Sequence, residues 1–285
     1  MTIAVGILIV LGSIIVGYTM HGGKLPVLLQ TSEFVIIGGA SLGAIIVGNK
    51  PRDVKRIFTR TLDILKPNPF HRRAYAELLQ ALYELFYLAR RDGLQGLEPH
   101  IERPETSDVF RKCPSLQTNR QALAFLTDTM KVLLSGTVDD HNLAEILDLD
   151  LEQHYEEAMA IPHAIGRLAD AMPGFGIVAA VLGVVITMGH IGGDPARIGH
   201  SVAAALVGTF LGVLLAYGVL GPLSQSMENR VRSEHAYLRC IRTALLSYAR
   251  GDTPLASVEF ARRSIQPEDR PSFDEIEQMI RRKGR

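Results

Sequence analysis

Apolar residues in this chain gather into four runs, two near each end, and polar residues fill the ground between and after them. The runs are Thr2–Met20, about 26–48, 173–191 and about 201–223. Each approaches the ~20 residues that, at ~1.5 Å rise, cross the ~30 Å hydrocarbon core of a bilayer. Residues 3–16 are almost wholly apolar. They lack the basic lead and the small-residue cleavage site of a secretion signal, so they read as a first membrane span. The second run is less clean: 34–48 is short and glycine-rich, and it borrows 27–29 to reach full length.

The polar stretches carry helical periodicity. Residues 74–91 place Leu78, Leu82, Leu85 and Phe86 on one face, with Gly93 as a stop. Residues 121–134 and 142–170 pattern similarly, the second interrupted at Pro162, while Pro104, Pro114 and Gly136 punctuate the loops. Residues 224–250 continue the fourth run as a helix, and 251–285 hold a loop and one last charged helix. Strand-type alternation is nearly absent. The expected fold is an all-α membrane protein with four transmembrane helices in two hairpins, at 1–49 and 173–223. A large helical cytoplasmic domain lies between them at 50–172, and a cytoplasmic C-terminal helical segment follows at 224–285.

Orientation comes from the basic residues. Lys50, Arg52, Lys55, Arg56 and Arg60 crowd the end of the second run, and Arg230 and Arg232 follow the fourth. The short connectors 21–25 and 192–200 hold only Lys24 and Arg197. The positive-inside rule then puts both termini and the central block in the cytoplasm.

Charge and chemistry narrow the function classes mainly by exclusion. The 30 basic and 30 acidic residues cancel, which gives no support to nucleic-acid binding. Cys113 and Cys240 sit in polar stretches without ligand spacing and read as reduced cytoplasmic thiols. The acidic run Asp148, Asp150, Glu152, Glu156 and Glu157 spreads around a helix and lacks the glycine turn of a calcium loop. No phosphate-binding glycine loop, zinc-protease motif or nucleophile elbow occurs. The expectation is a protein that is not an enzyme and holds no metal and no cofactor.

The spans are notable for what they omit. No Asp or Glu lies well inside any of them, and Glu33, near the outer end of the second, is the one near exception. A bundle that moves ions needs an ionisable group at depth, so the key carboxylate is expected from another chain. Small residues recur at helical spacing: Ala204, Gly208, Gly212 and Ala216 in the fourth span, Gly176, Ala180 and Gly183 in the third, Gly39 and Gly43 in the second. Such stripes let helices approach closely in lipid, and several together point to a tight assembly. Polar atoms are few. Thr209 and Tyr217 lie two turns apart beside the fourth-span stripe, with Ser41 and Thr187 elsewhere. A helical hydroxyl ordinarily bonds its own i−4 carbonyl; the alternative is that Thr209 lines a narrow polar path. Pro173 starts the third span as a first-turn proline, and Pro222 should kink a helix that continues past the fourth.

Read together, these residues resemble the MotA family of flagellar stator proteins over nearly the whole chain. The resemblance is carried by PGFGIVAAVLGVV at 173–185, LVGTFLGVLLAYG at 206–218 with Pro222, EFVIIGGASLGAIIVG at 33–48 and RPSF at 270–273. It implies a ring of subunits, a homopentamer, in the bacterial inner membrane around the spans of two MotB-like chains that carry the essential aspartate. The proton motive force drives it, and cytoplasmic charges push on the rotor protein FliG. By the same resemblance Pro173 and Pro222 couple conformation to ion passage. Thr209 lines the channel with Ala180 and Tyr217, and Arg90, Glu98 and Asp150 face the rotor. Sodium-driven relatives tend to carry threonines where this chain has Ala180 and Gly208, so the resemblance favours protons here.

The runner-up is an ExbB/TolQ-type energiser of outer-membrane processes, typically a three-span protein with its N-terminus outside. The first two spans and the RPSF segment weigh against it. A secondary transporter would need a broken helix with polar groups at midplane. A scaffold without ion flux would need neither partner nor gradient.

Overall fold

The computed structural model describes residues 2–189 and 195–281, so Ile191 and the first part of the 192–200 connector lie outside it. All regular structure among the described residues is helical. In chain order the helices are α1 (Thr2–Met20), α2 (Leu25–Leu28), α3 (Thr31–Gly48), α4 (Pro51–Asp63), α5 (Arg72–Asp92), α6 (Glu98–Glu102), α7 (Asp108–Arg111) and α8 (Pro114–Thr118). Then come α9 (Arg120–Ser135), α10 (Asp140–Met188), α11 (Pro195–Val213), a π-helical segment Leu214–Leu220, α12 (Gly221–Ala249), α13 (Pro254–Ser264) and α14 (Phe273–Arg281). Among the described residues four stretches are long and apolar enough to cross a membrane: Ile3–Met20, Leu25–Gly48, and windows within Asp140–Met188 and Ser201–Ala249.

The chain packs as two units, one of Met1–Pro67 with Glu157–Asn229, the other of Asn68–Glu156 with Arg230–Arg285. In the first, a core of Ile37, Ile45, Ile57, Ile165, Leu168, Met172, Ala179, Leu211 and Met227 joins the spans to α4 and to flanking turns of α10 and α12. Its outer aliphatic side chains stay open; Leu8 and Val47 are 68% and 89% exposed, as lipid-facing residues should be.

In the second unit, α5 buries Leu78, Leu82, Leu85 and Phe86 completely, as its periodicity predicts. They meet Phe110, Leu116, Leu126, Tyr237, Ile241 and Leu245, each such side chain contributing about 1.5–3 kcal/mol. Helix ends follow local chemistry. Gly93 and Gly136 take φ of 76° and 61° after α5 and α9, a region that costs glycine little. The Asn119 side chain accepts from the Gln121 and Ala122 amides to start α9. Thr253 accepts from the Ala256 amide, with Pro254 in the first turn of α13.

Several expectations change. Helix α10 runs unbroken through Pro162 and through Pro173, which is therefore not a first-turn residue. Ile161, Ala164, Ile165, Leu168 and Met172 are buried on either side of these prolines, so tertiary packing outweighs the missing donors. The described residues 251–281 hold two helices rather than one, because the Thr253 cap starts an additional helix at 254–264. The second span is split at residues 29–30, so α3 begins at Thr31. Ahead of Pro222 the chain widens into the seven-residue π segment, with the Gly221 amide bonded to the Ala216 carbonyl.

Candidate functional site

The site is built where α10 and α11 touch, and glycine makes the contact possible. A Cβ on Gly176 would lie 2.7 Å from the Gly208 carbonyl oxygen and 3.1 Å from the Gly212 Cα. One on Gly212 would lie 2.6 Å from the Met172 carbonyl, and one on Gly183 would meet Ala205 Cβ at 2.8 Å. Backbone packs on backbone over three turns, which any larger side chain would prevent. Of the expected third-span stripe Gly176 is buried, while Ala180 stands half-exposed beside the fully buried Ala179, which the expected stripe did not include. The expected stripe on α3 behaves differently: Gly39 and Gly43 have open space around them, and α3 packs instead through Glu33, Ile37, Ser41 and Ile45.

Glu33 is the residue whose position differs most from expectation. It is only 4% exposed, and its Oε2 has no hydrogen-bond partner among the described residues. A Cβ on Gly208 would collide with that oxygen and stand 3.1 Å from Ala179 Cβ and 3.3 Å from the Ala180 amide nitrogen. The carboxylate thus sits level with Gly208 and the 179–180 step of α10. Ala180 lies about 12 Å along the helix from Met188, at ~1.5 Å per residue. The span is shorter than the apolar run, so an acid near the end of that run becomes an acid in the first turn of α3, facing α11. The split at residues 29–30 was the available signal, since the second run reached full length only by borrowing 27–29.

Thr209 follows Gly208 and is half-buried, its Cα 3.3 Å from where a Gly176 Cβ would stand. Glu33, Ala180, Gly208 and Thr209 therefore share one level of the bundle. Tyr217 does not join them; it lies in the π segment, 71% exposed. Ser41 donates to the Ile37 carbonyl and contacts Met172 Sδ at 3.4 Å, and Thr187 donates to the Gly183 carbonyl, so both hydroxyls are spent on local bonds. Pro173 is half-buried within α10, and Pro222 is exposed at the start of α12. Just after it the Ser224 hydroxyl, itself buried, donates to the Pro162 carbonyl at 2.9 Å, against Gly166.

In the other unit, Arg90 at the end of α5, Glu98 at the start of α6 and Asp150 on α10 are all exposed, with no ion pair among the described residues. Their neighbour Arg91 is engaged: its guanidinium donates to both Asp92 carboxylate oxygens, at 2.6 and 2.8 Å, and lies over the Tyr87 ring. The bond from Arg91 holds the Asp92 carboxyl below the usual carboxylate range. Of these two neighbours, Arg91 is held by Asp92 while Arg90 makes no ion pair among the described residues. Cys113 and Cys240 are both free and buried, and burial pushes the Cys240 thiol up to about 12.

Comparison with known proteins bears on this geometry directly. The Motility protein A N-terminal family model matches residues 4–93, and that of the MotA/TolQ/ExbB proton channel family matches 117–239. Motility protein A of Salmonella typhimurium is 36% identical over 281 residues, covering 99% of this chain and 95% of the relative. The Escherichia coli protein gives the same figures. Among solved structures, C. jejuni MotAB superposes with a TM-score of 0.78 at 19% identity, covering 95% of this chain and 98% of that one. The flagellar MotAB stator complex of Bacillus subtilis gives 0.74 at 20%, with the same coverage, and both establish the shared fold. With these matches running from the first span into the second packing unit, the chain belongs to the Motility protein A family, within the MotA/TolQ/ExbB proton channel group.

Proposed function

We propose that this chain is the ring-forming stator subunit of a flagellar motor. With a MotB-like partner it forms a proton-conducting complex that turns the rotor through FliG. The single observation that carries the reading is the 36% identity to motility proteins over 99% of the chain. The match of the N-terminal motility family model to residues 4–93 favours it over an ExbB/TolQ-type energiser.

The geometry supplies a mechanism. The glycine-lined contact of α10 and α11 makes a thin, rigid wall that a partner helix can approach closely. The partner's aspartate alternates between charged and neutral forms as protons arrive and leave. Each proton that crosses releases ~2.3 kcal/mol per 100 mV, which biases the face of the ring the aspartate prefers. Thr209 and Ala180 stand on that wall; Pro173 lies on α10, and Pro222 starts α12, which follows α11 through the π segment. Both termini face the cytoplasm in this reading, as do Arg90, Glu98 and Asp150, which meet the rotor. The work is done by moving charge, with the proton motive force as its source and no covalent chemistry.

The test is motility. A deletion strain complemented with this gene should swim, and the product should co-purify with the neighbouring membrane partner as a ring of identical subunits. Full swimming without the gene would overturn the proposal.

A further inference from the structure

The mechanism above leaves the buried carboxylate of Glu33 without a role. We propose that Glu33 is a proton-relay group of this chain: it takes protons from the outer side and passes them to the partner's aspartate. This rests on the proton-conducting reading just given.

Three observations carry it. First, the residue is only 4% exposed, yet Oε2 has no hydrogen-bond partner among the described residues. A buried, unsatisfied polar oxygen is costly and calls for an explanation, and a carboxylate more so. Second, the backbone is shaped to receive it: the Gly208 position has no side chain, and a Cβ there would occupy the space of Oε2. Third, the notch adjoins the 179–180 step of α10 and lies one residue before Thr209 in the chain, where the ion path is expected. No Asp or Glu other than Glu33 occurs in 2–48, 173–189 or 201–223. No Lys or Arg occurs in 26–48 or 173–189, so no cation on these stretches of α3 or α10 pairs with it.

The step is a plain proton transfer. A carboxylate oxygen of Glu33 accepts a proton from water on the outer side. The resulting acid gives a proton to the partner's carboxylate, and Glu33 returns to its charged form. One proton enters and one leaves, with no other bond changed. Packing alone would not need an acid: an amide of the same shape fills the same notch without carrying a proton.

The test uses the full complex, this chain co-expressed with its MotB-like partner and reconstituted in vesicles under an imposed potential, with internal pH as the readout. Wild type is compared with Glu33→Gln, Glu33→Asp, Gly208→Ala and the double variant Gly208→Ala/Glu33→Asp. Glu33→Gln should assemble with the partner in the wild-type ratio and lose at least tenfold of the flux, while Glu33→Asp keeps a measurable part. Gly208→Ala, which displaces the carboxylate without removing it, should lower flux, and the double variant, whose acid is one methylene shorter, should restore it. Glu33→Gln conducting within twofold of wild type would reduce Glu33 to a packing residue. If Glu33→Gln does not assemble, the Gly208 pair decides: restoration supports the relay and its absence overturns it. A wild-type complex without partner-dependent flux would instead overturn the stator reading itself, so the two failures are told apart.

Discussion

Replacing Gly176 with alanine should separate α10 from α11, and the neighbouring Gly174 provides an internal control. At Gly176 the added methyl would stand 2.7 Å from the Gly208 carbonyl oxygen, 3.1 Å from Gly212 Cα and 3.3 Å from Thr209 Cα. Non-bonded carbons rest at about 3.5–4.0 Å, so the contacts are short by roughly 0.5–1 Å. All three atoms are backbone, and no rotamer change relieves them. Such overpacking costs about 1–3 kcal/mol, against which alanine recovers about 0.8–1 kcal/mol of helix propensity. Gly174 has nothing within 4 Å and gains the propensity alone. The two variants should therefore differ by about 1–3 kcal/mol, or roughly 2–12 °C in melting temperature at ~2–4 °C per kcal/mol. Detergent-solubilised protein heated at one scan rate and followed by size-exclusion chromatography gives the comparison. Equal melting of Gly176→Ala and Gly174→Ala would refute the close backbone contact.

Further expectations concern the second packing unit. Arg90→Glu should reduce torque while membrane assembly stays intact; normal swimming of this variant, alone and combined with Glu98→Lys, would remove the rotor assignment. Cys240 should resist maleimide at pH 8 in the folded protein, since a thiol held at about 12 is thiolate only to the order of 10⁻⁴, and should react once the chain is unfolded. Bonds from Arg262, with Arg263 beside it, hold the Glu259 carboxyl down at about 2. A depressed carboxyl stabilises the fold above its unfolded value near 4.5, and the contribution fades as pH falls towards 2. Glu259→Gln should therefore cost roughly 1 kcal/mol at pH 7, and its melting gap from wild type should narrow between about pH 4.5 and 2.5; a gap constant with pH would count against the pairing.

Much of this was legible in the residues, and the reasons differ by region. Periodicity located α5 and α9 because their apolar faces repeat cleanly and glycine ends them at Gly93 and Gly136. Hydropathy located all four spans, because lipid demands nearly continuous apolar sequence. The prolines misled: an expected interruption at Pro162 depends on local rules, whereas buried neighbours at Ile161 and Ile165 hold the helix together. Small-residue spacing marked Gly208 and Gly212 correctly but marked Gly39 and Gly43 equally, since spacing records a face and not what lies opposite it. Glu33 eluded the pattern for a related reason. Its distance from the end of an apolar run says little about depth when the helix starts at Thr31 and the carboxylate turns towards α11.

The π segment has a meaning for how this sequence can change over time. Gly212 before it and Ser224 after it both rest on α10, at Gly176 and at Pro162 with Gly166. In a uniform α-helix, residues so separated would point roughly 120° apart, at about 100° per residue. One surplus residue, which is what a wide π turn stores, takes back about 100° and leaves the two nearly in line. A single-codon deletion inside 214–220 would thus yield a regular helix in which, at about 100° per residue, Ser224 still faces Pro162 to within about 20°. What would break the register is the opposite change: drawing all of 214–220 into a uniform α-helix at full length would turn Ser224 about 120° away from the line of Gly212.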